Sequence, residues 1–123
     1  MKKMFLFFSH KLNSEQEKNA KDTLKTDEFV RLPDELQKSF SNVPPELETL
    51  EEYVKPFWRY LKENAKKDDL VLIQGDFGLS FLIVEFCKKE GFIPVYATTK
   101  REVLVEKDGT KVSKFRHIRF RRY

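Results

Sequence analysis

Two short runs constrain the fold of this chain more than anything else in it. "MFLFF" (residues 4–8) and "LVLIQ" (70–74) are apolar at consecutive positions rather than at alternate ones. A strand with one wet face alternates, whereas a strand covered on both faces does not. Each run is followed, after a short polar break, by a segment of helical character. Strands alternating with helices give an α/β domain with a mainly parallel sheet flanked by helices. Ligands of such sheets bind beyond the carboxyl ends of the strands.

The remaining elements follow from local signals. "SEQE" at 14–17 matches a capping box with Ser14 as N-cap, opening a polar helix to about Lys25. "EFVRL" (28–32) reads as a second strand stopped by Pro33, and residues 34–40 as a short helix. After the loop "SNVPP", Pro45 suits the first turn of a further helix. Leu47, Leu50, Val54, Phe57 and Leu61 would share one face of it, with a kink or break near Lys55 imposed by Pro56. Trp58 lies beside that stripe as a packing or interface residue. "GDFG" (75–78) is a tight turn into an almost wholly apolar helix that Gly91 ends. "IPVYA" (93–97) is the next strand. "EVLVE" and "KVSKFRHIRF" then flank Asp108-Gly109 as a C-terminal β-hairpin.

At 123 residues the chain is expected to be one domain, residues 1–123. Its single cysteine, Cys87, sits in an apolar run, so neither an internal disulfide nor a cysteine-based zinc site is available. That suits a reducing cytoplasm. The apolar start is too short for a signal peptide, and no stretch reaches the roughly 20 apolar residues that span a bilayer. Asp68-Asp69 reads as a solvated turn and cap, and no carboxylate or histidine cluster has metal-ligand spacing. No metal and no cofactor are expected.

The net charge of +4 is uneven. Residues 1–99 carry 15 Lys/Arg against 17 Asp/Glu, while residues 100–123 carry 9 against 3. The basic end favours an anionic partner, or forms a solvated tail. It begins beside two hydroxyls, in "TTKR" (98–101).

Three segments should meet on one sheet edge: Ser9-His10, Gln74–Gly78 and Thr98–Arg101. Gly75 and Gly78 let a ligand approach the backbone, and a helix start attracts anions. Asp76 would accept from a ribose or base donor, or cap the helix. A two-residue turn at Asp108-Gly109 places Arg101 opposite Arg116 and Lys100 opposite His117. Two successive cationic pairs ask for solvent or an anion between them. His10 and His117 are the only histidines. Either suits proton transfer near neutral pH, and either could equally be structural.

"LFFSHKL", "SNVPPELETLEEYVKP", "VLIQGDFG" and "IPVYATTKREV", occurring in that order, together resemble a small standalone family of CRISPR-associated proteins of type III loci. That family is related to the CARF (CRISPR-associated Rossmann fold) superfamily. The resemblance implies a Rossmann-like (CARF-like) fold and a cytoplasmic homodimer. It implies a ring nuclease that linearises cyclic oligoadenylate, usually cyclic tetra-adenylate, without metal, switching off the type III signal. Ser9, with Lys100 or Arg101, takes the family's active-site roles, and His10 would position or deprotonate a ribose 2′-hydroxyl. Gln74, Gly75, Asp76, Phe77, Gly78, Thr98, Thr99, Arg116 and His117 would contact the ring, with Phe77 stacking on adenine or packing in the core. Two rivals remain: a module that captures the ring without cutting it, and a single-strand nucleic-acid binder using "KFRHIRFRRY". No DNA partner is expected under the main reading, and no membrane.

Overall fold

A computed structural model describes all residues, 1–123. Five strands form one mixed sheet in the order β2-β1-β3-β4-β5. They are β1 (Lys3–Phe8), β2 (Glu28–Arg31), β3 (Leu70–Gln74), β4 (Ile93–Val105) and β5 (Lys111–Arg122). β1 lies parallel between β2 and β3, β4 runs parallel to β3, and β5 closes the edge antiparallel to β4. The α/β class and the mostly parallel sheet are as the two apolar runs required.

Both faces of β1 and β3 are covered, by different helices. Phe5, Phe7, Val71 and Ile73 point into a core with α2 (Asp34–Ser41), α3 (Lys55–Asn64) and α4 (Phe77–Glu90). Met4, Leu70, Leu72 and Val95 point the other way, onto Ala20 of α1 (Ser14–Leu24) and Phe120 of β5. Alternate residues of one strand face opposite sides, so an apolar residue is needed at every position. No helix is long and apolar enough to cross a membrane.

Four local expectations are corrected. The N-cap of α1 is Asn13, not Ser14: its side chain accepts from the Gln16 amide at 2.8 Å while Gln16 reaches back at 2.9 Å. The same reciprocal bonds form one residue earlier, because an Asn and a Gln satisfy the pattern as well as Ser and Glu. Next, no helix starts at Pro45. Residues 45–54 form turns, and α3 begins at Lys55 with Pro56 in its first turn. Pro56 has no N–H to offer the Glu52 carbonyl, so the hydrogen-bonded ladder can only start downstream. Third, Asp69 is not solvated. It is 4% exposed and accepts from the amides of Lys3 (3.1 Å) and Lys66 (2.9 Å), pinning the start of β1 to the turn before β3.

The fourth correction concerns the hairpin. β4 does not stop at Ala97. It continues without a break into a long two-stranded ribbon with β5. The turn has three residues rather than two: Glu106 donates to the Thr110 carbonyl, Gly109 donates to that of Glu106, and Gly109 takes φ +86°. Adding Lys107 to the loop moves every partner from Val105 to Thr99 by one. Lys100 therefore faces Arg116, Arg101 faces Phe115, and Thr99 faces His117. A bulge between Thr98 and Thr99 leaves Ile118 without a partner. One cationic pair remains where two were expected.

Candidate functional site

The carboxyl ends of β1 and β3 lie level, with Phe8 beside Gln74. The chain turns from β1 outward to β2, whereas β3 lies on the other side of β1. Connections that diverge in this way open a crevice between the loops that follow the two strands. The loop after β1 holds Ser9 and His10. The loop after β3 holds Gly75 and Asp76.

A second opening lies between β3 and β4. Their ladder ends at Leu72 and Val95. Beyond it, side chains take over the backbone's hydrogen bonds. The Gln74 amide oxygen accepts from the Ala97 N–H at 2.8 Å, and the Tyr123 hydroxyl donates to the Ile73 carbonyl. The strands separate there above a groove of about 440 Å³. Gln74, Gly75, Ser80, Val84 and two aromatic pairs, Phe77 with Phe81 and Tyr96 with Tyr123, line it. Burial, reinforced by the neighbouring Tyr96, raises the Tyr123 hydroxyl above its ordinary pKa, so it stays a donor.

The glycine turn has a packing reason of its own. A Cβ on Gly75 would lie 2.7 Å from two ring carbons of Phe40, which is buried in the core. Asp76 caps α4, accepting from the Leu79 amide at 3.0 Å. Phe77 is 94% exposed, so it does not pack in the core. A Cβ on Gly78 would come 3.3 Å from Leu50.

Ser9 and His10 stand on the same edge. The Ser9 hydroxyl lies 2.9 Å from that of Ser41, at the end of α2. His10 is exposed, sets its ring against Phe8, and lines a cleft of about 240 Å³ with Lys11, Glu17, Arg31 and Gln37.

The third segment is placed differently. Thr98 crosses the edge, but its hydroxyl donates to the Arg119 carbonyl at 2.7 Å and accepts from the Arg119 amide at 3.2 Å. Thr99, Lys100 and Arg101 lie farther out, on the ribbon, and all three are exposed. Arg101 donates to the Ser113 hydroxyl through two guanidinium nitrogens, at 3.1 and 2.7 Å. Arg116 pairs with Glu102 at 3.7 Å. Lys100 has no such tether.

His117 is turned away from the edge. Its ring packs on Phe120, and Nε2 lies 2.9 Å from the Asn19 side-chain oxygen on α1. That oxygen also accepts from the Phe120 amide at 3.2 Å. Burial lowers the His117 pKa, with the Glu15 charge opposing in part. Nδ1 is buried without a partner, so the neutral ring carries its proton on Nε2 and donates it to Asn19. His117 fastens the base of the ribbon to α1.

A family described as "Uncharacterized protein MJ1673 family" matches residues 2–121. The chain belongs to this family. A protein of Methanocaldococcus jannaschii described as "Uncharacterized protein MJ1673" is 48% identical over 126 residues, covering 100% of this chain and 98% of that one. No solved structure matches. The family match takes in the whole sheet edge and nearly all of the ribbon.

The fold therefore brings Ser9, His10, Gln74, Gly75, Asp76, Phe77 and Thr98 to one edge of the sheet. Lys100, Arg101 and Arg116 stand on the ribbon that rises from it, and His117 lies apart. Sequence reasoning missed the aromatic wall of Tyr96 and Tyr123, and Arg121, which donates to the Tyr96 hydroxyl at 3.0 Å. The alternation of "FRRY" was the available signal, since Arg121 and Tyr123 share a face. It also missed Gln37 and Ser41, whose i, i+4 spacing on α2 carries both to the Ser9 loop.

Proposed function

We propose that this chain is a CARF-like ring nuclease, a Rossmann-like homodimer that binds cyclic tetra-adenylate and opens it. The observation that carries the reading is the gathering of Ser9, His10 and the Gly75–Phe77 turn on one strand edge. A groove walled by aromatic rings adjoins them, and a ribbon bearing the untethered Lys100 rises beside them. A phosphate-rich ring needs all three elements: backbone and hydroxyl donors, a flat apolar surface for bases, and cations at its rim.

In the proposed reaction the ligand supplies its own nucleophile. A ribose 2′-oxygen bonds to the adjacent phosphorus as the bond to the 5′-oxygen breaks. His10 takes the 2′-hydroxyl proton, and water protonates the departing 5′-oxygen. The product is linear, with a 2′,3′-cyclic phosphate at one end and a 5′-hydroxyl at the other. Lys100 offsets the charge that grows on the phosphoryl oxygens. A ring of four equivalent nucleotides suits a two-fold site, since each subunit meets an equal half. The exposed Phe77 and Phe81 offer apolar area to the ring or to the second subunit. Such an enzyme would act in the cytoplasm and end type III CRISPR signalling.

A second reading rests on one observation. Phe115 is 69% exposed between Lys114 and Arg116 on the ribbon, an arrangement suited to single-stranded nucleic acid. Incubation with labelled cyclic tetra-adenylate in the presence of a chelator, followed by chromatography, separates the possibilities. Linear product supports the nuclease. An intact but tightly bound ring points to a sequestering protein. Preference for long single strands, falling steeply with salt, points to the ribbon.

A further inference from the structure

Ser9 ends a chain of side-chain hydrogen bonds whose direction is fixed from Gln37 to Ser41. The Gln37 amide nitrogen lies 3.2 Å from the Phe8 carbonyl and 3.1 Å from the Ser41 hydroxyl. A carbonyl can only accept, so the Gln37 atom facing it is the NH2 group, and this fixes the orientation of the amide. One N–H goes to Phe8 and the other to Ser41. The Ser41 hydroxyl is thereby an acceptor from Gln37 and still has one proton to give. Ser9 Oγ, at 2.9 Å, is the side-chain acceptor within reach.

We propose that Gln37 and Ser41 are positioning residues that make Ser9 a hydrogen-bond donor toward the ligand. Ser9 Oγ accepts from Ser41, so its own proton is left to point out over the strand edge. A hydroxyl polarised in this way takes an acceptor-rich partner, the anionic oxygen of a phosphodiester, rather than a donor such as a ribose hydroxyl. It is correspondingly poor as a base, which leaves proton removal to another group. The inference rests on the ring-nuclease reading for the identity of the phosphodiester, but the relay itself does not.

The test has two arms. In the first, cyclic tetra-adenylate affinity and single-turnover cleavage are measured for Ser9→Ala, Ser41→Ala, Ser41→Thr and Gln37→Met. Loss of one such hydrogen bond weakens binding roughly three- to tenfold. Ser41→Ala and Gln37→Met should each show that loss, Ser41→Thr should restore it, and adding Ser41→Ala to Ser9→Ala should change nothing more. Ser41→Ala binding like wild type, or Ser41→Thr failing with it, overturns the proposal. The second arm needs no ligand. The side-chain amide protons of Gln37 are followed by NMR in wild type, Ser41→Ala and Ser9→Ala. The relay requires one of the two to move upfield and exchange faster when Ser41 loses its hydroxyl. If wild type ignores the ring yet this resonance moves, the ring-nuclease reading falls and the relay stands. An unmoved resonance removes the relay, whatever binds.

Discussion

β1 and the β4–β5 ribbon are both rich in apolar residues, yet they fare in opposite ways. Phe5 and Phe7 of β1 are buried against helices on one side of the sheet, and Met4 on the other. Val103, Leu104, Val105, Val112 and Phe115 of the ribbon are all exposed. The residues are equally able to leave water. What differs is whether the chain supplies a layer to receive them. β1 is flanked in sequence and in space by helices, while the outer ribbon has only its own two strands. A two-stranded hairpin alone is marginally stable, so its outer half depends on what it meets.

The widest gap between the two regions should appear on truncating a ring in each. Phe7 packs against Phe40, Phe57 and Tyr60, with ring centroids 6.0, 6.0 and 6.3 Å away. Phe7→Ala should cost about 3–5 kcal/mol in urea unfolding. Phe115→Ala should stay within about 0.5 kcal/mol. A large loss for Phe115→Ala would mean that the ribbon is packed against a second molecule in solution.

Next in size is the staple under β1. Asp69→Ala leaves the part-buried amides of Lys3 and Lys66 without their acceptor, and should cost about 1–3 kcal/mol. Asp108, at the tip of the ribbon, also accepts from a backbone amide, that of Thr110 at 2.9 Å. Water can replace that bond, so Asp108→Ala should leave the unfolding midpoint where it was. Smaller again is Gly75→Ala. The added methyl must displace the Phe40 ring, which sits in the same core as Phe7, at about 1–3 kcal/mol. Unchanged stability in Gly75→Ala would free the glycine from packing and leave ligand approach as its reason.

The same contrast explains how far the sequence could be read. Consecutive apolar residues in β1 and β3 carry a signal that only burial on both sides produces, so the parallel sheet and the edge that gathers Ser9, His10 and Gly75 could be inferred. The ribbon carries a weaker signal. Asp108-Gly109 marks a turn, but a two-residue and a three-residue loop are both compatible with it, and the choice shifts every cross-strand pair out to the bulge at Thr98 and Thr99. A two-residue turn of the Asp-Gly kind needs positive φ at both positions; Gly109 has it at +86° but Asp108 does not, so the loop is the longer one. The aromatic groove was illegible for another reason. Tyr96 and Tyr123 are 27 positions apart, and meet at 4.9 Å only because β4 leaves β3 and β5 returns beside it. Asp69 was misread because a neighbouring pair of carboxylates looks solvated in one dimension, while two distant backbone amides decide otherwise.

The smallest expected effect lies at the joint between the two regions, where His117 ties the ribbon to α1. Its native pKa is below the ordinary 6.5 because burial disfavours the imidazolium. Below 6.5 the unfolded chain therefore takes up a proton that the folded chain resists. The stabilisation from the neutral ring is complete above that pH and is lost as pH falls toward the native value. Protonation would also place a second N–H on the buried Nδ1, which has no acceptor. Wild type should thus lose unfolding midpoint in urea between pH 7 and pH 5 by slightly more than His117→Gln, whose amide can still donate to Asn19 without taking up a proton. Equal profiles would mean that water reaches the ring, and that the tie between the ribbon and α1 rests on the Phe120 amide and Asn19 rather than on His117.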